Sequence, residues 1–131
     1  MTAARLTRIM LVDDEPDIRT VAKLALEMLG SYTVKDCASG DTALSEIKSF
    51  APQIILLDVM MPNMDGPTTL RALRALPEAK DVPAIFMTAK VQPQEVEQYL
   101  SMGAVAVISK PFDPMTLSAQ VENAWKQTGG A

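Results

Sequence analysis

The 131-residue sequence contains no histidine and a single cysteine, Cys37. Without imidazole the chain cannot form a Ser-His-Asp or Cys-His nucleophile, a histidine-containing zinc site or a phosphohistidine. One thiol cannot make an internal disulfide, so nothing points to a secreted disulfide scaffold, and the cytoplasm is the expected compartment. Any chemistry must therefore use carboxylates, hydroxyls and lysine.

Excess positive charge and long apolar runs are missing as well. Twelve basic against sixteen acidic residues give a net charge of −4, which disfavours direct binding to nucleic acid or to anionic membranes. The apolar run that follows the basic start of the chain is only Ile9-Met10-Leu11-Val12. That run is too short for a signal-peptide core, and no run approaches the ~20 residues of a membrane span. We expect a soluble protein with no membrane partner.

The composition, with 48% hydrophobic and 21% charged residues, is typical of one globular domain. Five short aliphatic runs alternate with segments of helical period, and the predicted strands are residues 8–12, 32–37, 53–57, 84–88 and 105–108. Four of the five are almost continuously apolar, which is typical of parallel strands covered by helices on both faces. Right-handed crossovers then predict an α/β, doubly wound (βα)5 sheet over residues 8–127, between a flexible segment 1–7 and a tail 128–131.

The five predicted helices have recognisable starts, each a first-turn proline or a capping side chain: Pro16, Ser39, Pro67, Pro93 and Asp113-Pro114. Gly30 and Gly103 are predicted to end the first and fourth helices. The predicted inward face of the first helix consists of Ile18, Val21, Ala22, Ala25 and Leu29. That of the last helix consists of Leu117, Val121, Ala124 and Trp125.

Polar residues cluster at the carboxyl ends of the predicted strands. Asp13-Asp14-Glu15 follows the first strand, Asp58 the third and Lys110-Pro111 the fifth, while Thr88 closes the fourth. Because these ends meet at one edge of a parallel sheet, three aspartates would converge and repel one another. A hard divalent cation such as Mg²⁺, held by carboxylates and waters, is the usual remedy, and the absence of soft ligands disfavours zinc or copper.

Each element also has an ordinary structural interpretation. An aspartate pair before a helix is usually a cap, a threonine at a strand end is common, and a single lysine is usually solvated. These interpretations do not explain why a carboxylate directly after Ile54-Ile55-Leu56-Leu57 shares its sheet edge with an acidic pair, a hydroxyl and an amine. The joint pattern therefore favours a functional site. The nearby Met60, Met61 and Met64 are interpreted as packing residues, and Cys37 as a small core residue.

In these segments the chain resembles the response-regulator receiver domains of two-component signalling, in particular those like the chemotaxis regulators. The matching segments are LVDDEP at residues 11–16, LDVMMPNMDG at 57–66, FMTA at 86–89, and Gly103-Ala104 leading to KPF at 110–112. The resemblance implies a flavodoxin-like fold with a five-stranded parallel sheet in the order 2-1-3-4-5.

The resemblance also implies roles for the site residues. Asp58 would be the phosphoacceptor, receiving a phosphoryl group from the histidine of a partner kinase or histidine phosphotransfer protein. Mg²⁺, for which Mn²⁺ may substitute, would be held by Asp58, by Asp14 directly, by Asp13 through water and by the backbone carbonyl of Met60. Lys110 would pair with Asp58 and then with its phosphate, to which Thr88 would donate a hydrogen bond.

Further expectations concern the backbone and the switch. Gly66 is predicted to permit a positive φ in the loop after Asp58, and the Lys110-Pro111 bond is expected to be cis, as the family implies. Many receivers carry a rotating aromatic residue three positions before the lysine, but this chain has Val107 there. A switch would therefore act mainly through Thr88, the following loop and the fourth helix. Its partner-binding surface would include the fourth helix, fifth strand and fifth helix.

Three other classes of protein share some of these features. A haloacid-dehalogenase-type phosphatase needs a general-acid aspartate two residues after its nucleophile, where this chain has Met60. Aligning Gly66 with position 6 of an EF-hand puts Met61 at position 1 and Ala72 at position 12, where carboxylates are required. A phosphorylation-independent interaction domain with the receiver fold stays open.

The expected protein is a phosphoacceptor rather than an enzyme, with slow autodephosphorylation. We expect it to be a monomer or weak dimer and to act on a downstream protein target. Too few residues follow the last predicted helix for an output domain. We therefore favour a protein that acts alone by binding partners, and the alternative is the receiver of a larger regulator or hybrid kinase.

Overall fold

A computed structural model describes residues 4–130 as five strands that alternate with five helices. The strands are β1 (Arg8–Val12), β2 (Thr33–Cys37), β3 (Ile54–Asp58), β4 (Ala84–Thr88) and β5 (Ala106–Ser109). The helices are α1 (Pro16–Leu29), α2 (Gly40–Phe50), α3 (Gly66–Arg74), α4 (Pro93–Ser101) and α5 (Leu117–Gln127). All pairings are parallel, in the order β2-β1-β3-β4-β5. The predicted flavodoxin-like (βα)5 sheet is confirmed, and each strand boundary lies within one residue of its prediction.

Alternate residues of each strand enter two separate cores, one on each face of the sheet. Met10, Ile55 and Phe86 point toward α2, α3 and α4, whereas their neighbours Leu11 and Ile85 point toward α1 and α5. Since both faces are covered, the strands can be apolar at nearly every position, which is why the continuous runs predicted parallel strands correctly.

The inward face of α1 differs from its prediction. Ala22, Ala25 and Leu26 are buried, at the i, i+3 and i+4 positions of one helical stripe, whereas Val21 and Leu29 are 43% and 52% exposed. Both exposed residues lie at the margins of that stripe. The helical period alone therefore predicts a wider buried face than the structure has.

The last helix begins later than predicted. The side chain of Asp113 accepts a hydrogen bond from the Met115 amide at 2.9 Å, but it closes a turn, and α5 starts at Leu117 with Thr116 as its N-cap residue. An aspartate before a proline caps a turn and a helix by the same contact, so the motif alone could not distinguish them. Trp125, predicted to face inward, is partly buried, and its indole N–H donates to the carbonyl of Ala4 at 3.0 Å.

The segment before β1 makes defined contacts in its described part. Leu6 is buried, and the Gln53 side chain accepts hydrogen bonds from the amides of Thr7 and Arg8 at 2.7 and 2.9 Å. Residues 1–3 and 131 of the predicted flexible segment and tail lie outside the described residues. Within residues 4–130, no helix combines the length and the apolar character needed to cross a bilayer.

Candidate functional site

The carboxyl ends of four strands bring the predicted site residues together at one edge of the sheet. Asp58 is the last residue of β3 and Thr88 the last of β4, and both are 1% exposed. The ladder continues past the strands, since the Asp13 amide donates to the Cys37 carbonyl at 3.0 Å and the Lys110 amide to the Thr88 carbonyl at 2.9 Å. Regular main-chain hydrogen bonding between neighbouring strands therefore fixes the backbone positions of these site residues.

Lys110 crosses the site and contacts three carboxylates. Its Nζ donates to Asp13 Oδ2 at 3.2 Å and to Glu15 Oε1 at 3.0 Å, and it lies 3.2 Å from Asp58 Oδ2 without hydrogen-bond geometry. The side chain of Lys110 is only 12% exposed, whereas that of Glu15 is 57% exposed. The sequence pattern does not predict the contact of Glu15 with the lysine, because the reach of a glutamate side chain across the site is set by tertiary structure.

The three aspartates are arranged as a hard cation would require. One carboxylate oxygen from each of Asp13, Asp14 and Asp58 lies within 4.8 Å of the other two. Two buried oxygens accept no hydrogen bond among the described residues: Asp14 Oδ1, and Asp58 Oδ2, whose one ion-pair partner there is Lys110 Nζ at 3.2 Å. Unpartnered buried carboxylate oxygens are costly unless a cation or water satisfies them, so this donor set fits Mg²⁺ or Mn²⁺.

Burial and mutual repulsion perturb the charges at the site. Burial, reinforced by the negative charge of Asp13, raises the pKa of Asp58 from 3.8 to about 6, although Lys110 opposes the shift. Burial likewise raises the pKa of Asp13. Burial lowers the pKa of Lys110, but its hydrogen bond to Glu15 and the charges of Asp13 and Asp58 outweigh that effect, so the net shift is upward. The lysine therefore stays charged near neutral pH.

A pocket of about 330 Å³ opens above Asp58. Thr88, Lys110 and Glu15 contribute its polar walls, and its remaining lining residues are Ile18, Met60, Ala89 and Pro111. The Thr88 hydroxyl accepts a hydrogen bond from the Lys90 amide at 3.0 Å, which leaves its own proton for an acceptor in the pocket. The pocket thus presents a carboxylate, a hydroxyl and an ammonium to a small anionic group.

The backbone of the loop after β3 packs closely against the end of that strand. The Met60 amide lies 3.3 Å from Asp58 Oδ1 as a donor, and the Met60 side chain is 65% exposed, so its interpretation as a packing residue was wrong. The positive φ expected at Gly66 occurs instead at Asn63, with φ 68°. Gly66 is needed for another reason, since a Cβ there would lie 2.5 Å from the Asp58 carbonyl oxygen. On the other side of the site, the Lys110-Pro111 bond is cis.

This fold and this edge of the sheet define a class, and the chain belongs to the family of response regulator receiver domains. The model of that family matches residues 9–122. Response regulator Rre1 of Synechocystis is 35% identical over 115 residues, which cover 88% of this chain and 50% of that protein. The phosphate regulon transcriptional regulatory protein PhoB of Pseudomonas aeruginosa is 36% identical over 121 residues, which cover 92% and 52%.

Solved structures give the same class. The chemotaxis response regulator CheY4 of Vibrio cholerae superposes with a TM-score of 0.83 at 28% identity, over 91% of this chain and 98% of that one. A putative response regulator from Chloroflexus aurantiacus gives 0.82 at 30% identity, over 93% and 99%. The chain therefore spans nearly all of these two structures, but about half the length of the curated relatives it matches.

Proposed function

We propose that the chain accepts a phosphoryl group on Asp58, in a reaction that depends on Mg²⁺, from the phosphohistidine of a partner kinase or histidine phosphotransfer protein. The observation that carries the proposal is the position of the Asp58 carboxylate. It lies at the floor of an open pocket, beside two further carboxylates, and its Oδ2 accepts no hydrogen bond but lies 3.2 Å from the ammonium group of Lys110. The donor must bring the histidine, since this chain has none.

In the proposed reaction an oxygen of Asp58 attacks phosphorus. A new O–P bond forms, the P–N bond of the donor breaks, and the leaving imidazole keeps the electron pair of that bond. Mg²⁺, held by Asp13, Asp14, Asp58 and the Met60 carbonyl, would neutralise charge on the phosphoryl oxygens. Lys110 then exchanges its contact with Asp58 for one with a phosphoryl oxygen, and Thr88 donates its hydroxyl proton to another.

The perturbed pKa of Asp58 is compatible with this role. A nucleophilic carboxylate must be ionised, and a pKa of about 6 leaves most of the Asp58 population ionised at neutral pH even without a metal ion. The charge of Lys110 and a bound divalent cation both favour the ionised form. The site therefore holds a desolvated but charged nucleophile.

The proposed output is a change in the surface formed by α4, β5 and α5. Thr88 is linked to this surface directly, because its hydroxyl accepts from the Lys90 amide in the loop that leads to α4. The helix α4 itself has one buried residue, Tyr99, which packs edge-to-face on Phe86 with the ring centroids 5.5 Å apart. A helix with so small a buried face can move at low cost, and a downstream protein partner would read its position.

The experiment is phosphorylation by acetyl phosphate, with and without Mg²⁺, followed by intact-protein mass spectrometry. We expect a single added phosphoryl group that requires Mg²⁺, is lost in alkali and is absent from Asp58→Asn. Asp65→Asn, in the loop before α3, is the matched control and should be labelled like the wild type. Stable labelling of Asp58→Asn at the wild-type level would refute the assignment.

A second candidate is that these residues form the receiver of a longer DNA-binding regulator. It is favoured by the curated relatives, of which the chain covers about half, and which include transcriptional regulators. With a net charge of −4, the receiver itself would not contact nucleic acid. The mass of the endogenous protein distinguishes a receiver that acts alone from the receiver of a longer regulator, because an output domain would add substantially to 14.2 kDa.

A further inference from the structure

One residue outside the pocket makes an unusual contact with the acidic site. Arg19, in the first turns of α1, donates from Nη1 to the backbone carbonyl of Asp13 at 2.8 Å. Its Nε donates to Asp36 Oδ2 on β2 at 3.2 Å. The guanidinium group, whose side chain is 19% exposed, thus joins three segments: the loop after β1, the helix that follows it and the edge strand β2.

This contact completes the fixation of Asp13. Its amide donates to Cys37, its Oδ1 accepts from the Glu15 amide at 2.9 Å, and its Oδ2 accepts from Lys110 at 3.2 Å. Its carbonyl oxygen is the remaining polar atom, and Arg19 binds it. That oxygen belongs to the planar peptide unit that joins Asp13 to Asp14. The hydrogen bond from Arg19 therefore also fixes the orientation of the Asp14 amide nitrogen and Cα.

The orientation of this peptide plane matters because Asp14 makes few side-chain contacts of its own. Its Oδ1 is buried and has no partner among residues 4–130. A ligand that is not held by contacts to its own side chain depends on its backbone for direction. In metal sites such supporting hydrogen bonds typically change metal affinity by about 10- to 100-fold.

We propose that Arg19 is a positioning residue for the divalent-cation site, which it serves by holding the Asp13–Asp14 peptide in the orientation that aims both carboxylates at the cation. This inference rests on the proposed Mg²⁺-dependent function. Asp36 anchors the guanidinium group, and Lys23 Nζ, 3.2 Å from Asp36 Oδ1, shares that anchor without contacting the loop.

Lys23 supplies a matched control, because it pairs with the same carboxylate as Arg19 but does not touch Asp13. Each of Arg19→Met and Lys23→Met removes one positive charge near an acidic site. By Coulomb's law alone, both changes would strengthen the binding of a cation. A loss of positioning has the opposite sign, so weaker cation binding by Arg19→Met cannot come from the removed charge itself.

The experiment measures the Mn²⁺ dissociation constant by electron paramagnetic resonance of the free ion, and that of Mg²⁺ by competition, on the full chain. Urea unfolding in EDTA is measured in parallel. We expect Arg19→Met to raise both dissociation constants about tenfold and Lys23→Met to leave them within about twofold of wild type. Arg19→Lys should give an intermediate value, because an ammonium group lacks the planar fork that reaches the carbonyl and the carboxylate together.

Each other result overturns the inference. Wild-type affinity in Arg19→Met would show that the carbonyl contact does not position the ligands. Equal weakening in Arg19→Met and Lys23→Met would assign the effect to loss of the ion pairs with Asp36. If the wild-type chain itself bound neither Mn²⁺ nor Mg²⁺, the proposed function would fail and this inference with it. If the wild type bound both ions and Arg19→Met bound them equally well, the inference alone would fail.

Discussion

In the absence of metal, Asp58→Asn is expected to make the protein more stable at neutral pH. Folding moves the pKa of this carboxyl from 3.8 to about 6, so the folded state disfavours the ionised form. A group with a raised pKa contributes its full stability below the unfolded pKa, and that contribution is lost as the pH rises through the folded pKa. The shift of about 2 units corresponds to about 3 kcal/mol, which is the ionisation cost that the wild type bears at pH 7.5 and the asparagine variant avoids.

The assay is urea unfolding in EDTA at pH 4, 6 and 7.5, followed by far-ultraviolet circular dichroism. The variant should exceed the wild type by roughly 2–3 kcal/mol at pH 7.5 and by slightly less at pH 6. At pH 4 the difference should be small, because the folded wild type is protonated at Asp58 and the unfolded carboxyl is only about half ionised. Saturating Mg²⁺ should stabilise the wild type by about 2.7 kcal/mol at 100 times its dissociation constant and thus remove most of the difference.

Asp65→Asn is a control with the opposite sign. The Asp65 side chain accepts from the Thr68 amide at the start of α3, and this hydrogen bond lowers the pKa of the carboxyl, so the folded state favours its charge. Removing that charge should destabilise the protein slightly at pH 7.5. If Asp58→Asn were no more stable than the wild type in EDTA, or if its advantage did not change between pH 4 and 7.5, the repulsive site described above would be refuted.

Three further predictions concern the metal, the switch and the loop. Saturating Mg²⁺ should raise the melting temperature by about 10 °C, and Asp14→Ala should remove most of this response and Asp13→Ala less of it; a melting temperature that ignores Mg²⁺ would contradict the site. Thr88→Ala should still be phosphorylated but should lose most of the change in α4 amide chemical shifts on adding beryllofluoride, whereas Val107→Ala should retain it; the reverse result would put the switch on β5. Gly66→Ala should lower the free energy of unfolding by about 1–3 kcal/mol in urea titrations, because its Cβ meets a backbone oxygen at 2.5 Å; an unchanged value would mean that the loop can adjust.

The strands could be predicted from the sequence because their signal is local. The run Ile54–Leu57 is apolar at every position, and a short run of this kind between turn signals is typical of a strand covered on both faces. Helix starts were harder to predict, since Asp113 makes the capping contact that its pattern predicts but uses it to close a turn that precedes α5. Local patterns specify a contact, while tertiary packing decides which element the contact serves.

The same distinction explains what was found and missed at the site. Asp13, Asp14, Asp58, Thr88 and Lys110 were predictable because each directly follows or ends an apolar strand, so topology brings them together. The contacts of Arg19 and Glu15 were not, since both residues lie in or beside a helix among many charged neighbours. Their partners depend on how far each side chain reaches toward other elements in the folded structure, and local sequence patterns do not predict the distances between those elements.

The ion pair between Asp13 and Lys110 spans 97 positions of the chain, and it has a consequence for synthesis on the ribosome. The aspartates at the carboxyl ends of β1 and β3 leave the ribosome before Lys110 does, so a growing chain carries the acidic residues for some time without the lysine that pairs with them. Until Lys110 has left the exit tunnel, the site lacks the ammonium group that would stabilise a bound phosphoryl group. Under the proposed function, a kinase that meets the nascent protein would therefore find no complete acceptor until the fifth strand has been added to the sheet.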